Sequence, residues 1–475
     1  MTGITAFGAY IPPTRLSLSA LGGGRPKEGP EKAVAAFDED SITMGMAAAA
    51  DCLRGGDRAA VDAIYFASTT SPYAEKQAAG IVAKALGLRR DVVTTDFAGS
   101  LRAGTNALRA ANDAVKAGSV KSVLVVMADC RLAAPRSPAE RNLGDAAAAF
   151  LIGSDGVIAR LGASSAVNEE MFDIWRGEDD QFLKEWEGRF VVDHGYKAAV
   201  VEATGALFAK ADKKPADFAK VAAYAIDARS HGAAMKKLGF NPEQVQSPLF
   251  GKVGNTGAAA VGLQLAAALE SAKSGESLLV ISYGNGADSL VIDVTGDTAK
   301  AARRGVSGHL VRRRAVKSYD AYLASRNFHV GGSDAKGGAG LAATVQYRFR
   351  DNDIGFQGHK CQGCGTVHFP KQRVCYNCFK KDNFEMVSLN DQRGTVKSYT
   401  FDSFFPTPEK PMVVCMTEVL GARIYVQVAD ILPDEVKLEM PVEYIFRRIH
   451  QAGGRPNYYW KCTPLRDADG AILAA

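Results

Sequence analysis

The sequence lacks a long apolar run, a marked excess of one charge and an N-terminal leader pattern. No apolar run reaches the roughly 18 residues that a membrane-spanning helix needs, so we expect no membrane span. Residues 1–16 have no basic start followed by a long apolar stretch, so we identify no secretory signal. The net charge of +5 is small for 475 residues and does not favour nucleic-acid binding, although local basic clusters could still hold a phosphorylated ligand.

The chain has eight cysteines, and they are unevenly distributed. Four are scattered through the chain: Cys52, Cys130, Cys415 and Cys462. The other four lie close together: Cys361, Cys364, Cys375 and Cys378. In a large chain without a secretory signal, this pattern predicts a reducing cytoplasm and a metal site rather than disulfides.

The clustered cysteines follow the pattern Cys-x2-Cys, ten residues, Cys-x2-Cys. Two such turns bring four thiolates into a tetrahedron, which zinc accepts, and four sulfur ligands leave no open position. We therefore predict a structural zinc ion, with Gly363 and Gly365 supplying a tight turn. His359 and His368 lie nearby in the sequence, and we expect both on the surface because the thiolates complete the ligand shell.

Residues 1–296 have the pattern of an α/β protein. Short apolar runs such as 123–127 are typical of buried parallel strands, and they alternate with Ala-rich stretches such as 105–117, whose apolar residues share one helical face. Two segments, 104–129 and 254–286, repeat the order glycine-rich turn, Ala-rich helix, glycine stop and apolar strand. We predict an internal duplication with halves 1–160 and 161–296. The helix at 258–272 is apolar nearly all round and should be central.

The composition changes after residue 296. Residues 297–345 form a predicted linker with a basic stretch, a connecting helix at 317–326 and glycines at 331–332 and 337–340 that favour a flexible joint. The cysteine cluster falls in 346–385, the predicted zinc ribbon. Residues 386–475 contain about five short strand-like runs separated by Gly and Pro, which predicts a small β-barrel. These runs are 394–401, 412–419, 423–428, 442–447 and 458–463.

Residues 93–108 read as a strand, a turn and the start of a helix. Such a turn directs backbone N–H groups and the positive end of the helix at one point, an arrangement that stabilises an oxyanion or activates a nucleophile. In this segment and several others, residues 1–296 resemble the thiolase superfamily, most closely its 3-hydroxy-3-methylglutaryl-CoA synthase branch. The other segments, in collinear order, are 68–73, 128–129 with 143–146, 236–240, 254–257 and 282–286.

The resemblance implies a five-layered, internally duplicated fold that is usually dimeric, so we expect a homodimer or a larger assembly. It also implies binding of coenzyme A thioesters, with a cysteine nucleophile in the turn before the helix, a histidine base in the second half, and often a glutamate or asparagine. This chain departs from that pattern. Leu101 stands at the cysteine position, with Ser100 beside it. Tyr224 stands at the histidine position and Thr69 at the glutamate position. Asn255 matches the asparagine of the family pattern. Leucine cannot attack a thioester, so we expect that this chain does not form the acyl-enzyme intermediate through a cysteine.

The C-terminal region also resembles a known family. Residues 360–370 are similar to the rubredoxin-like zinc ribbon that precedes an OB-fold beside thiolase-like proteins of acyl-CoA metabolism. OB-folds often bind nucleic acid, but the near-neutral charge and the thiolase-like neighbour argue against that function here.

Three functions follow from these residues. The first is an aldol or retro-aldol enzyme acting on a β-hydroxyacyl-CoA, with Tyr224 as the base and Tyr283 as second candidate, provided that neighbours lower the tyrosine pKa. Asn255 and the backbone at Gly284 and Gly286 would then hold the thioester oxygen.

The second function is a Claisen-type acyltransferase, as in a thiolase or hydroxymethylglutaryl-CoA synthase. It needs Ser100 or Cys130 as nucleophile, with His231 or His194 as base. The third is a subunit that binds acyl-CoA without catalysis. We favour the first of the three.

Coenzyme A carries phosphates, so basic residues should line its entrance. Arg229 and Lys252 are candidates, as are the basic residues of the linker, although a solvated surface is the simpler explanation for most of them. The linker residues are Arg303, Arg304, Arg312, Arg313 and Arg314. Leu101, Gly284 and Gly286 are expected to lie against the thioester end of the same ligand.

Overall fold

The structure is a computed structural model that describes residues 1–177, 179–299, 304–326, 342–405, 407–452 and 455–473. The strands up to residue 296 are β1 (Gly3–Tyr10), β2 (Thr14–Ser17), β3 (Glu31–Ala33), β4 (Ala63–Ala67), β5 (Val93–Phe97), β6 (Ser122–Asp129), β7 (Ala146–Gly153), β8 (Ala159–Asn168), β9 (Ile174–Trp175), β10 (Lys184–Glu185), β11 (Lys220–Ala223), β12 (Ser277–Tyr283) and β13 (Gly286–Val294). The helices are α1 (Ser41–Cys52), α2 (Ala78–Leu86), α3 (Ala103–Lys116), α4 (Pro138–Asn142), α5 (Gly188–Phe190), α6 (Lys197–Ala211), α7 (Ala228–Lys237) and α8 (Ala260–Leu269), with a π-helix at Val191–Tyr196 between α5 and α6.

The two halves of this region have the same strand order. In the first half the order is β1-β7-β6-β4-β5, and in the second half it is β8-β13-β12-β11. The first two pairs of each half are antiparallel, and the next pair is parallel. A parallel bridge between Val221 and Val245 occupies the place that β5 has in the first half. The predicted internal duplication is therefore confirmed.

Helices α3 and α8 lie between the two halves, where α8 packs against β7 of the first half and against β11 and β12 of the second. Helices α1 and α2 cover the outer face of the first half, and α6, with α7 beside it, covers the second, which gives five layers. The central position predicted for the apolar helix at 258–272 is confirmed, because almost every residue of α8 is buried. Its apolar circumference suits an element that has strands on both sides.

The segment after β13 packs onto the rest of the protein. Helix α9 (Gly305–Val311) lies against β1 and α8, and β14 (Arg314–Ala315) pairs in parallel with β2. The predicted connecting helix is α10 (Tyr319–Ser325). The linker glycines at 331–332 and 337–340, and Arg303, lie outside the described residues.

The C-terminal region contains two further sheets. Helix α11 (Ala343–Asp353) precedes β15 (Gln357–Cys361), β16 (Val367–His368) and β17 (Phe384–Ser388), which form a sheet in the order β16-β15-β17. The remaining strands are β18 (Arg393–Asp402), β19 (Met412–Val419), β20 (Ala422–Gln427), β21 (Pro441–Ala452) and β22 (Arg455–Pro464), in the order β20-β19-β18-β21-β22. A bridge between Val428 and Cys462 brings the two edges together, so this sheet is a nearly closed barrel.

Buried polar contacts join the barrel to the start of α1. Lys461 Nζ lies 2.7 Å from Asp38 Oδ2, and Tyr458 Oη donates to Asp40 Oδ2 at 2.8 Å. Arg447 forms a buried ion pair with Glu39. The barrel is thus packed against the first half. No helix among the described residues is long and apolar enough to cross a membrane.

Candidate active site

Loops from both halves meet at the carboxyl ends of the parallel strands β4, β5, β6, β11 and β12. The turn after β5 contains Ser100 and Leu101, and the turn between β12 and β13 contains Gly284. Ser100 Oγ donates to the Gly284 carbonyl at 3.0 Å and accepts from Arg102 N–H at 3.2 Å. A Cβ on Gly284 would lie 2.9 Å from Ser100 Oγ and 3.0 Å from Leu101 N, so only glycine permits this approach. Ser100 holds two turns together, and no base contacts its hydroxyl among the described residues.

Arg102, which the sequence did not single out, holds this contact. Its Nε donates to the Gly284 carbonyl at 2.6 Å and its Nη2 to the Asn285 carbonyl at 2.7 Å. Its Nη1 lies 3.0 Å from Oδ1 of the buried Asp288. Arg102 precedes α3 in the first half, and its guanidinium thereby binds two backbone carbonyl groups of the β12–β13 turn in the second half.

The predicted role of the Gly284 backbone in holding the thioester oxygen stays a prediction, and the structure gives the Gly284 N–H a partner of its own. That N–H donates to the Gly286 carbonyl at 2.9 Å, inside the turn itself. The placement of Leu101 and Gly286 at the thioester remains a prediction.

Asn255 lies at the centre of the site, and both the oxygen and the nitrogen of its side-chain amide are hydrogen-bonded. Its Nδ2 donates to Tyr224 Oη and to the Ala225 carbonyl, both at 2.9 Å. Its Oδ1 accepts from Arg131 Nη2 at 2.7 Å and from Gly257 N–H at 3.0 Å. The structure therefore brings Tyr224 and Asn255 together, as their predicted roles require, and adds Arg131, which the sequence did not indicate.

Tyr283 is a poor candidate for a base. Its ring packs against those of Tyr196 and Tyr224, with centroid separations of 5.3 and 6.1 Å. Burial raises the pKa of Tyr283, and the neighbouring Asp173 raises it further. The condition for the base role, a tyrosine pKa lowered by neighbours, is not met at Tyr283, because a buried phenolate beside a carboxylate is doubly disfavoured.

Asp129 joins the strand ends of the two halves. Its Oδ1 accepts from Ser68 Oγ at 2.9 Å and from Thr69 N–H at 2.7 Å, and its Oδ2 accepts from Thr69 Oγ1 at 2.8 Å. Its Oδ2 also accepts from Ala258 N–H at 2.7 Å, just before α8. In the sequence, Asp129 is indicated by its position at the end of an apolar strand. Thr69, at the position of the family's glutamate, donates hydrogen bonds to it from both its N–H and its hydroxyl.

The alternative nucleophile and bases are in unfavourable environments. Burial raises the pKa of the Cys130 thiol to about 12, and Asp145 adds to the effect, so the thiolate is disfavoured although Arg326 donates to Sγ. His231 is buried, and burial lowers its pKa to about 4. His194 is exposed and stacks on Phe190.

The basic residues proposed for the coenzyme A phosphates divide into two groups. Arg229 and Lys252 are exposed, so their predicted role is neither supported nor contradicted. The described linker arginines are engaged in ion pairs with acidic residues: Arg304 and Arg312 with Glu443, Arg313 with Glu31, and Arg314 with Glu409. These pairs support the simpler explanation, in which the basic linker packs against acidic surfaces of the protein.

The four clustered cysteines converge, and their Sγ atoms all lie within 4.8 Å of one another. The two Cys-x2-Cys turns have matching backbones, because Gly365 N–H donates to the Cys361 carbonyl at 2.8 Å and Phe379 N–H to the Cys375 carbonyl at 2.9 Å. Gly365 and Phe379 accordingly share a positive φ, at 77° and 57°. We call this region, residues 357–388, the cysteine ribbon.

The surface position predicted for the two nearby histidines is wrong. His359 and His368 face each other across β15 and β16 and are only 5% and 2% exposed. Burial lowers the pKa of both imidazoles. His368 packs edge-on against Tyr376 and Phe384, whereas Lys360 and Glu385, a cross-strand pair of the same sheet, are exposed.

Comparisons with known proteins agree with this architecture. A family model described as "3-Oxoacyl-[acyl-carrier-protein (ACP)] synthase III C terminal" matches residues 208–292. The hydroxymethylglutaryl-CoA synthase of Methanocaldococcus jannaschii is 31% identical over 307 residues, which cover 62% of this chain and 89% of that protein. The enzyme of the same name from Archaeoglobus fulgidus is 32% identical over 340 residues, which cover 69% of this chain and 98% of that protein.

Solved structures share the fold at lower identity. A crystal structure of HMG-CoA synthase complexed with CoA has a TM-score of 0.64 at 19% identity, covering 72% of this chain and 94% of that one. The 3-oxoacyl-[acyl-carrier-protein] synthase III of Aquifex aeolicus has a TM-score of 0.56 at 21% identity, covering 62% and 100%. The duplicated five-layered fold is thus that of thiolase-like proteins. Within that class, the chain belongs to the hydroxymethylglutaryl-CoA synthase family.

Proposed function

We propose that this protein forms or breaks a carbon–carbon bond on a coenzyme A thioester. The observation that carries the proposal is family membership: the chain spans 89% of the M. jannaschii hydroxymethylglutaryl-CoA synthase at 31% identity. A structure of similar fold is named as a complex with CoA. These relatives favour the Claisen-type condensation over the direct aldol reaction that the sequence placed first.

A Claisen-type route needs a side chain that accepts the acyl group. Leu101 has no nucleophilic atom, and Ser100 is the hydroxyl beside it in the turn. The test is to incubate the purified full chain with acetyl-CoA and to map any acetyl adduct by mass spectrometry. An adduct on Ser100 that Ser100→Ala abolishes supports this route. Condensing activity that survives Ser100→Ala without any adduct contradicts it.

A direct aldol or retro-aldol reaction is the second candidate, and a specific contact favours it. Tyr224 Oη accepts a hydrogen bond from Asn255 Nδ2, a geometry that stabilises negative charge on the tyrosine oxygen while a proton moves. Cleavage of a β-hydroxyacyl-CoA without an adduct, lost in Tyr224→Phe, supports this route. Binding of acyl-CoA without adduct or turnover supports the non-catalytic subunit instead.

We propose that the cysteine ribbon holds one structural zinc ion. In a tetrahedral site with Zn–S bonds of about 2.3 Å, sulfur atoms are separated by roughly 3.8 Å. The pairs Cys361–Cys378 and Cys364–Cys375 have Sγ separations of 3.6 Å, close to that value, and all four Sγ atoms lie within 4.8 Å of one another, which suits a zinc site. With four thiolate ligands the ion has no position for substrate, and its contribution is to the fold of the ribbon.

Assembly and location complete the proposal. We propose a homodimer or larger assembly, which light scattering of the purified chain would test, and a cytoplasmic location, which fractionation would test. All eight cysteines are free thiols, including Cys415 and Cys462, whose Sγ atoms lie 3.5 Å apart, and this supports a reducing compartment.

A further inference from the structure

Arg131 is a buried cation with two guanidinium nitrogens that make no hydrogen bond among the described residues. It is 7% exposed, and its Nη2 donates to Asn255 Oδ1 at 2.7 Å. Its Nε and Nη1 have no hydrogen-bond partner in the described part of the chain. The carboxylate of Asp129 lies close by, since its Oδ2 and Arg131 Nε are 2.2 and 2.8 Å from the same Cβ position at Gly257, but it accepts hydrogen bonds from other loops and none from Arg131. Buried N–H groups without an acceptor are unfavourable, so this position is suited to an anionic oxygen that accepts from them.

Hydrogen bonds run in one direction from Arg131 to Tyr224. Arginine can only donate, so Asn255 must present Oδ1 to it and Nδ2 to Tyr224 Oη. The Ala225 carbonyl and the Gly257 N–H hold the amide in the same orientation. Because Tyr224 Oη accepts from Asn255, its own hydrogen points away from that amide and is available to another acceptor.

The backbone around Arg131 is shaped to admit this side chain. Gly257 has a φ of +62°, and a Cβ there would lie 2.8 Å from Arg131 Nε and 2.2 Å from Asp129 Oδ2. Thr256 Oγ1, next to Asn255, is also buried without a partner among the described residues. Unpaired polar atoms therefore belong to two residues next to Asn255, one its hydrogen-bond donor and one its neighbour in sequence, and buried polar atoms normally have a partner.

We propose that Arg131 supplies the positive charge for an anionic oxygen of the acyl group bound beside Tyr224 and Asn255. The inference rests on the proposed function, since it takes the ligand to be a CoA thioester. Two sources would present the same chemistry: a carboxylate already carried by the acyl group, or the enolate or alkoxide oxygen that develops during carbon–carbon bond formation or cleavage. In the second case the charge acts only in the transition state.

The experiment compares wild type, Arg131→Gln, Arg131→Lys and a matched control, Arg141→Gln, which removes an exposed arginine of α4. Calorimetry gives the Kd of two thioesters of equal acyl length, glutaryl-CoA and valeryl-CoA, which differ in the terminal carboxylate. Turnover of acetyl-CoA with acetoacetyl-CoA gives kcat and KM. Thermal unfolding reports whether each variant is folded.

A carboxylate ligand predicts that wild type binds glutaryl-CoA at least tenfold more tightly than valeryl-CoA. Arg131→Gln should abolish this preference and Arg131→Lys should keep part of it. A developing oxyanion predicts unchanged Kd values and a kcat at least 100-fold lower in Arg131→Gln, with partial rescue by lysine. Arg141→Gln should behave as wild type in both cases.

The proposal is overturned if folded Arg131→Gln matches wild type in both thioester affinities and in kcat. Should Arg131→Gln not fold, equal affinities of wild type for the two thioesters together with an unchanged kcat in Arg131→Lys overturn it. If wild type binds neither thioester, the proposed function itself is contradicted, and the role of Arg131 with it.

Discussion

The cysteine ribbon and the candidate active site are built in opposite ways. All four sulfur atoms of the ribbon come from residues 361–378, and two turns of the same backbone geometry bring them together. The residues of the active site come from positions as distant as Thr69 and Gly284, on loops of both halves of a duplicated fold. A site made by local turns depends on the spacing of its ligands, whereas a site at strand ends depends on the packing of every strand and helix that positions them.

The largest expected effect comes from breaking the ribbon. Cys361→Ser should release the zinc and unfold residues 357–388 locally, because a structural zinc site contributes on the order of 10 kcal/mol to folding. Hydrogen exchange should lose its protection there and keep it in residues 1–296. The control is Cys52→Ala, a buried cysteine outside the ribbon, which should retain one zinc per chain. A wild-type protein without zinc would refute the assignment.

The corresponding change in the active site is Asn255→Ala. It removes the acceptor of Arg131 and the donor to Tyr224 and should cost about 2–3 kcal/mol of stability by leaving buried groups unpaired. Activity should fall by about 100-fold or more. The exposed Asn241→Ala is the matched control and should change neither quantity much. Full activity in Asn255→Ala would contradict the central role of Asn255 in the candidate active site.

Acid should weaken the thiolase-like core through His231. Burial lowers the pKa of this imidazole to about 4 in the folded state, so the unfolded chain binds the proton more tightly. Its stabilising contribution is complete above about pH 6.5 and is lost as the pH falls towards 4, amounting to about 2 kcal/mol between pH 7 and 5.

Denaturant unfolding of His231→Gln at these two pH values should show a pH dependence smaller by that amount. The exposed His194→Gln should follow wild type. Equal pH dependence in all three proteins would mean that the pKa of His231 is not lowered by folding.

Gly284→Ala tests the close approach of the two turns. The added Cβ would lie 3.0 Å from Leu101 N, so the turns must separate, at a cost of about 1–3 kcal/mol and with reduced activity. Gly80→Ala in α2 is the matched control, because no heavy atom lies within 4 Å of its Cβ position. That helical substitution should stabilise by about 0.5–1 kcal/mol. Equal Tm shifts for the two variants would contradict this geometry.

The smallest effect is expected in the second cysteine turn. Phe379 has a φ of 57° and an exposed side chain, whereas the equivalent position of the first turn is Gly365. Phe379→Gly should stabilise the ribbon by about 1 kcal/mol, because glycine adopts positive φ without a Cβ penalty. Hydrogen exchange at residues 375–381 measures the change, and faster exchange would show that the Phe379 ring contributes packing instead.

Sequence alone determined the features whose physics is local. Ligand spacing specified the cysteine cluster, the apolar circumference of residues 258–272 specified a central helix, and repeated turn–helix–strand segments specified the duplication. It also placed Tyr224 and Asn255 in one site, through a resemblance that relatives of about 31% identity now support at the family level.

Only the tertiary structure decided which polar atoms pair. It placed the unpaired N–H groups of Arg131 next to Asn255 and used Arg102 and Ser100 to join two turns. It also engaged the Gly284 N–H within its own turn and buried His359 and His368. These outcomes depend on contacts between residues far apart in the chain. Hydrogen bonding and burial at such contacts are set by the packing of both halves, which no pattern within a single segment encodes.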